Sequence, residues 1–146
     1  MFFTANTRLS DATHILVYVA LHEHMPVTSS EIAGSLQTAP SLVRRIMIKL
    51  KKAGLLNAVQ GAAQPTLVKS ADQINLRDIY SAISTDRHLL NVDSNISKHC
   101  PIGSNMPIVL GRYYDEIQST AEARMAKISL QDVIDDIKMQ QQQHQA

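Results

Sequence analysis

The chain has 146 residues, 45% hydrophobic and 18% charged, with a net charge of +1 and one cysteine. That balance fits a domain with a real core plus an association arm, and excludes a disordered chain. It also excludes an internal disulfide framework, and no apolar run reaches the roughly 20 residues of a membrane span.

The first helix is expected over residues 7–24, capped by Thr7 or Ser10. Ile15, Leu16, Val17, Val19, Ala20 and Leu21 make it apolar nearly all round, the mark of a buried helix, and Pro26 ends it. Thr28-Ser29-Ser30-Glu31 is a capping box: the threonine hydroxyl takes the third amide and the glutamate reaches back to the cap. A short second helix follows over residues 29–36. Thr38-Ala39-Pro40 opens a third, with proline near the first-turn position where its missing N–H costs nothing. Gly54 stands just past its end. Two β-like runs, residues 55–60 and 66–69, are joined by Gly61-Ala62-Ala63-Gln64-Pro65, which predicts a hairpin or wing.

Asn75 caps a fourth helix ending near Ser84, with Leu76, Ile79, Tyr80 and Ile83 on one side. Residues 85–105 read as polar and irregular. A long helix then runs to about residue 127, its apolar positions Met106, Leu110, Tyr113, Tyr114, Ile117, Ala121, Met125 and Ile128 holding a period near 3.6. A start at Pro101 would enclose Pro107 and force a kink; a start near Asn105 leaves Cys100 in the loop. Ser129 caps a last helix with Leu130, Val133, Ile134 and Ile137 at i, i+3, i+4 and i+7. The glutamine-rich residues 140–146 are expected to fray. The fold class is thus mainly α with a small β-hairpin. It divides into a winged helix-turn-helix domain (1–84), a linker and sensor loop (85–104), dimerisation helices (105–139) and a disordered tail (140–146).

The charge is unevenly placed. Residues 1–90 hold Arg8, Arg44, Arg45, Lys49, Lys51, Lys52, Lys69, Arg77 and Arg87, and no acid lies between Glu31 and Asp72. Focused charge attracts phosphate without a high overall pI. On the third helix Leu42, Val43, Ile46, Met47, Leu50 and Ala53 cluster on one side, and Ser41, Arg44, Arg45, Ile48 and Lys52 on the other. The second stripe offers donors to guanine edges and phosphates, and Ile48 an apolar contact for a thymine methyl. A basic helix alone is more often a solvated face; the capped helix before it, the three-residue turn and the hairpin after it favour DNA reading.

The segments from Asn6 to Leu16, Thr28-Ser-Ser-Glu-Ile-Ala33, Pro40-Ser-Leu-Val-Arg-Arg-Ile46, Leu50-Lys-Lys-Ala-Gly-Leu55 and Ile74-Asn-Leu-Arg-Asp-Ile-Tyr-Ser-Ala-Ile83 resemble the Rrf-type winged-helix regulators, the family of IscR, NsrR and CymR. Cys100-Pro-Ile-Gly103 narrows the likeness to the YwnA-like branch, and the resemblance covers roughly residues 5 to 138. It implies a homodimer built on the long C-terminal helix, with two winged domains reading a palindrome. This sequence departs from the family in two places. Members with an iron–sulfur cluster carry three clustered cysteines before the long helix, whereas Cys100 stands alone, and one thiolate cannot hold a cluster that needs about four ligands. No cofactor is therefore expected. The family's wing carries a Gly-Gly pair where this chain has Gln64-Pro65; proline fixes φ and removes a donor, which reshapes the tip.

Cys100, beside His99 and Pro101, is either a redox-sensing thiol activated by a helix dipole or a packing residue. His22-Glu23-His24 lacks helical metal spacing, so no metal site is expected, and no catalytic constellation stands out. With no secretory leader pattern, the expectation is a cytoplasmic protein that is not an enzyme. The first reading is a homodimeric transcription regulator, a repressor on double-stranded DNA, with an unknown effector. Thr28 and Ser29 would brace the DNA backbone, Ser41, Arg44 and Arg45 read bases, and Lys49, Lys52, Thr7 and Arg8 hold phosphates. The interface between subunits would use Met106, Leu110, Tyr113, Tyr114, Ile117, Ala121 and Met125. The rival reading is a winged-helix interaction module or structural dimer without DNA binding, which the low net charge and the Gln64-Pro65 wing favour.

Overall fold

The computed structural model of the chain describes residues 7–23, 25–57, 64–86 and 88–145. Helix α1 spans Arg8–Leu21, shorter than expected, and His22 caps it by donating its N–H to the Val19 carbonyl. The His22 ring stacks on Tyr18 with centroids 4.2 Å apart, and its Nδ1 lies 2.7 Å from the Tyr18 carbonyl. Thr7 occupies the N-cap position without a capping side-chain bond. Ala12, Ile15, Leu16, Val17 and Val19 are buried, so the helix is the centre of the core. His24 lies outside the described residues.

Helix α2 (Ser29–Leu36) begins with the expected capping box: Glu31 N–H donates to Thr28 Oγ1 at 3.1 Å and Thr28 N–H to Glu31 Oε2 at 3.0 Å. It ends at Gln37, whose φ of 52° lets its own N–H reach the Gly34 carbonyl and the Thr38 N–H reach the Ala33 carbonyl. This crossed pair is the Schellman arrangement, made here with a side chain in a region that favours glycine. Helix α3 (Pro40–Lys52) follows after three residues, with proline in its first turn. Gly54, at φ 75°, closes it with the same crossed pair, Gly54 N–H to the Lys51 carbonyl and Leu55 N–H to the Leu50 carbonyl. Val43 and Leu50 are fully enclosed and Ile46 nearly so. Truncating such a residue to alanine typically costs about 2–5 kcal/mol.

Strands β1 (Leu56–Asn57) and β2 (Thr66–Leu67) pair antiparallel, Leu56 opposite Leu67 and Asn57 opposite Thr66. The second strand is shorter than its expected run of 66–69; of the first run, residues 58–60 lie outside the described residues. The residues that would form the tip, 58–63, lie outside the described residues, Gly61 among them. Pro65 is buried and Gln64 exposed at the base of the wing. A 3-10 turn at Ala71–Gln73 precedes α4 (Leu76–Ile83), which Asn75 and Asp78 cap reciprocally. Ile79, Tyr80 and Ile83 face the core.

The long helix α5 runs Pro101–Met125, starting four residues before the expected boundary at 105. Proline suits a first turn, and Cys100 supplies the extended residue before it. Pro107 is accommodated inside the helix, where its missing N–H leaves the Gly103 carbonyl without an i+4 partner. The Asn105 side chain donates to the Pro101 carbonyl at 2.6 Å, holding the first turn. Helix α6 spans Leu130–Gln145, so the glutamine-rich stretch is helical where fraying was expected. Glutamine is a good helix former, and nothing there interrupts the ladder. Ser129 and Asp132 cap α6 reciprocally, as the sequence suggested for Ser129. Leu130 and Ile134 are buried in the same core as α1, and the corner before them bonds to the start of α4: Leu76 N–H to the Ile128 carbonyl at 2.9 Å, Leu130 N–H to the Ile74 carbonyl at 2.7 Å. The last helix therefore returns to the winged unit, although the sequence reading grouped it with the long helix.

Candidate nucleic-acid interface

The α2–turn–α3 unit is fixed at both ends of each helix by local chemistry: a capping box, a left-handed turn residue, a first-turn proline and a closing glycine. That rigidity matters because a reading helix must present side chains at a set angle to the groove. Val43, Ile46 and Leu50 anchor α3 from below. Ser41, Arg44, Arg45, Ile48, Lys49, Lys51 and Lys52 are all exposed above.

The exposed side chains sort into two flanks. On one, Arg44 Nη1 lies 3.4 Å from Ser29 Oγ at the start of α2, so the guanidinium stands beside the braced Thr28–Ser29 turn. The Thr28 hydroxyl accepts the Glu31 amide and keeps its own proton for an external acceptor. On the other flank, Arg45 and Lys49 line a shallow cleft of about 90 Å³ with Arg8 of α1; Leu42, Ile46 and Ile83 complete its wall. The structure thus brings Arg8, Arg45 and Lys49 together from two helices, a juxtaposition that the helix spacing could not give. Lys52 and Lys51 sit in the last turn of α3, where the helix dipole favours cations. Lys51, one heptad from Arg44, belongs to the first flank and was missed as a site residue; the spacing alone would have placed it there. Thr7 is exposed immediately before Arg8. Among the described residues, no carboxylate lies within ion-pair distance of Arg44, Arg45, Lys49, Lys51 or Lys52.

Two other sets stand apart from this face. Cys100 is exposed at the N-cap of α5. The amide N–H groups of Gly103 and then Ile102 face its sulfur and hold the thiol below its ordinary value, although neither forms a capping hydrogen bond. A Cβ at Gly103 would sit 2.8 Å from the Ser97 carbonyl oxygen, so the loop lies directly on this first turn. Along α5, Met106, Tyr113 and Ile117 are exposed, and Leu110, Tyr114, Ala121 and Met125 half-buried; no residue of the helix is buried. No helix among the described residues is long and apolar enough to cross a membrane.

Comparison with known proteins agrees with this geometry. Residues 5–136 match the family model Rrf2, described as an iron-dependent transcriptional regulator. YwnA of Bacillus subtilis (strain 168), assigned as an HTH-type transcriptional regulator, is 35% identical over 130 residues, which are 88% of this chain and 96% of YwnA. A crystal structure assigned as a DNA-binding protein is 31% identical, with a TM-score of 0.69 over 87% of this chain and 98% of that one. IscR of T. potens shares the fold at 20% identity and a TM-score of 0.67, covering 92% of this chain and 88% of IscR. The residues present do not fit the iron named in the family's description. The chain has one cysteine, and among the described residues no three His, Cys, Asp or Glu side chains converge. With its winged helix-turn-helix, its uncompensated basic helix and a match over nearly its whole length, the chain belongs to the Rrf2 family of transcriptional regulators and is not an enzyme.

Proposed function

We propose that this regulator acts in the cytoplasm as a homodimer on a palindromic operator, with α3 of each subunit in the major groove. The observation that carries the reading is the exposed face of α3, five cations without a neighbouring carboxylate among the described residues, mounted on a helix pair locked at every terminus. Ser41, Arg44 and Arg45 are the base readers, near the N-terminal half of the helix, where guanine edges accept from arginine forks. Lys49 and Lys52 take phosphates. Thr7 and Arg8 add a contact from α1, and Thr28 and Ser29 one from α2.

The dimer is supported by the partly exposed apolar stripe of α5. Met106, Leu110, Tyr113, Tyr114, Ile117, Ala121 and Met125 continue one face, and the exposed members of that set have no reason to stay in water. Two subunits joined there present two α3 helices, and an operator with half-sites about one helical turn apart, roughly 34–36 Å, would match them. A dimer clamped over such a site occludes it, which makes repression the simplest output. Cys100 is the redox-responsive position in this reading, since its thiolate is favoured at the start of the helix that joins the subunits. No cofactor takes part.

Selection of bound DNA from a random library, with and without peroxide, tests the reading. An enriched palindrome whose recovery falls with peroxide is the expected result. Failure to enrich any sequence would favour a winged-helix module that pairs with protein instead.

A further inference from the structure

We propose that Ile48 is a specificity-determining residue, contacting the C5 methyl of a thymine in the major groove; this rests on the reading of α3 given above. Ile48 is 54% exposed, while the other isoleucine and valine of the same helix, Ile46 and Val43, are 4% and 0% exposed. A branched aliphatic side chain held in water in the middle of a basic helix is the one member of that face that a phosphate cannot use.

Its position gives it a partner. Ser41, Arg44, Arg45 and Ile48 stand at i, i+3, i+4 and i+7, which places them in one contiguous row along the helix. Arg44 leans toward Ser29 on one side of that row, and Arg45 with Lys49 toward Arg8 on the other. Ile48 lies between the two flanks, facing where the groove floor would be. The thymine methyl is the apolar group that the major groove offers there; the remaining edge atoms are donors and acceptors. In a helix the β-branched side chain has one strongly preferred χ1, so little rotamer freedom is lost on contact. Docking of an apolar protein surface on this spot is disfavoured by Arg44, Arg45, Lys49, Lys51 and Lys52 around it, none with a carboxylate partner among the described residues. The larger apolar surface, on α5, lies elsewhere.

Uracil differs from thymine only by the missing methyl, which makes it the probe. Synthetic duplexes of the selected operator would carry deoxyuridine at each thymine of a half-site, one at a time, in titrations with the full-length protein. The wild type should lose about fourfold in affinity at one thymine per half-site, the worth of roughly one buried methyl. Ile48→Ala should bind the all-thymine operator with a similar loss and be indifferent to uracil at that position, with the salt dependence of binding unchanged. Ile48→Val should keep part of the response. A wild type indifferent to uracil at every thymine, or an Ile48→Ala variant with the full uracil response, overturns the proposal. If Arg45→Ala weakens operator binding while those two results are seen, Ile48 alone is at fault. If the wild type selects no operator at all, the reading of α3 falls with it.

Discussion

Gln118 of α5 and Tyr80 of α4 are joined by a hydrogen bond, the amide Nε2 donating to the phenol oxygen at 3.1 Å. The same nitrogen lies 3.1 Å from Glu122 Oε2, and Glu122 pairs with Arg77 of α4 at 3.5 Å. The Gln118 Oε1 accepts the Leu89 N–H at 2.8 Å. One amide therefore fastens the loop before α5 to the helix whose Ile83 walls the cleft beneath Arg45. The long helix and the winged unit meet at this hydrogen-bonded joint.

That joint should be measurable as an asymmetry. Tyr80 is only 3% exposed, so Gln118→Leu strands its hydroxyl and should cost about 1–3 kcal/mol, whereas Tyr80→Phe should cost about 1 kcal/mol. The double variant should be less destabilised than the sum of the two. Urea midpoints of the four proteins give the answer, and strict additivity would mean the bond contributes nothing.

The two helix-ending residues make opposite predictions. Gln37 sits at φ 52°, where a side chain costs about 1–2 kcal/mol, partly offset by the entropy that glycine would lose. Gln37→Gly should therefore raise stability by about 0.5–1 kcal/mol. Gly54, at φ 75°, already has the favoured residue, and Gly54→Ala should lower stability by about 1–2 kcal/mol. Thermal melts that moved in the same direction for both would show that the turn geometry is not what these residues decide.

Cys100 should react as an activated thiol. Its pKa is lowered by the Gly103 and Ile102 amides, so the thiolate is commoner at any pH below the ordinary value of about 8.5. Because a lowered pKa favours the deprotonated form, the rate of alkylation by iodoacetamide should rise with pH to a midpoint below that of the unfolded chain. Unfolding in denaturant should move the midpoint back up. A folded-state midpoint at or above the unfolded one would remove the basis for redox sensing here.

Association through α5 should depend on its exposed stripe. Ile117 is 47% exposed in one subunit, and Ile117→Asp would bury an unpaired charge if a second α5 covers it, at a cost of several kcal/mol. Sedimentation should then show a wild-type dimer and a monomeric variant at micromolar concentration. A wild-type monomer would contradict the interface.

How far the sequence spoke depended on how local the determinant was. The caps at Thr28 and Asn75, the first-turn Pro40 and the closing Gly54 are short-range signals, and each element they bound was legible. The start of α5 was harder, because Pro101 and Pro107 argue for different starts; the helix begins at Pro101, its first turn held by the Asn105 side chain, and carries Pro107 inside it. The return of α6 to the core is set by long-range contacts through Leu130 and Ile134, and periodicity cannot see these. Within the interface, the exposed row of α3 followed from helical spacing. The meeting of Arg8 with Arg45 and Lys49 did not, since it depends on how α1 crosses α3.

The most direct test compares Arg45→Ala and Lys52→Ala on the selected operator and on unrelated duplex, across a range of salt. If α3 reads DNA as proposed, Arg45→Ala should cost about 1–3 kcal/mol on the operator and relax preference at one base pair. Lys52→Ala should weaken operator and unrelated DNA alike and flatten the salt slope by about one unit. Unchanged affinity, selectivity and salt slope in both variants would contradict the assignment of α3 as the reading helix.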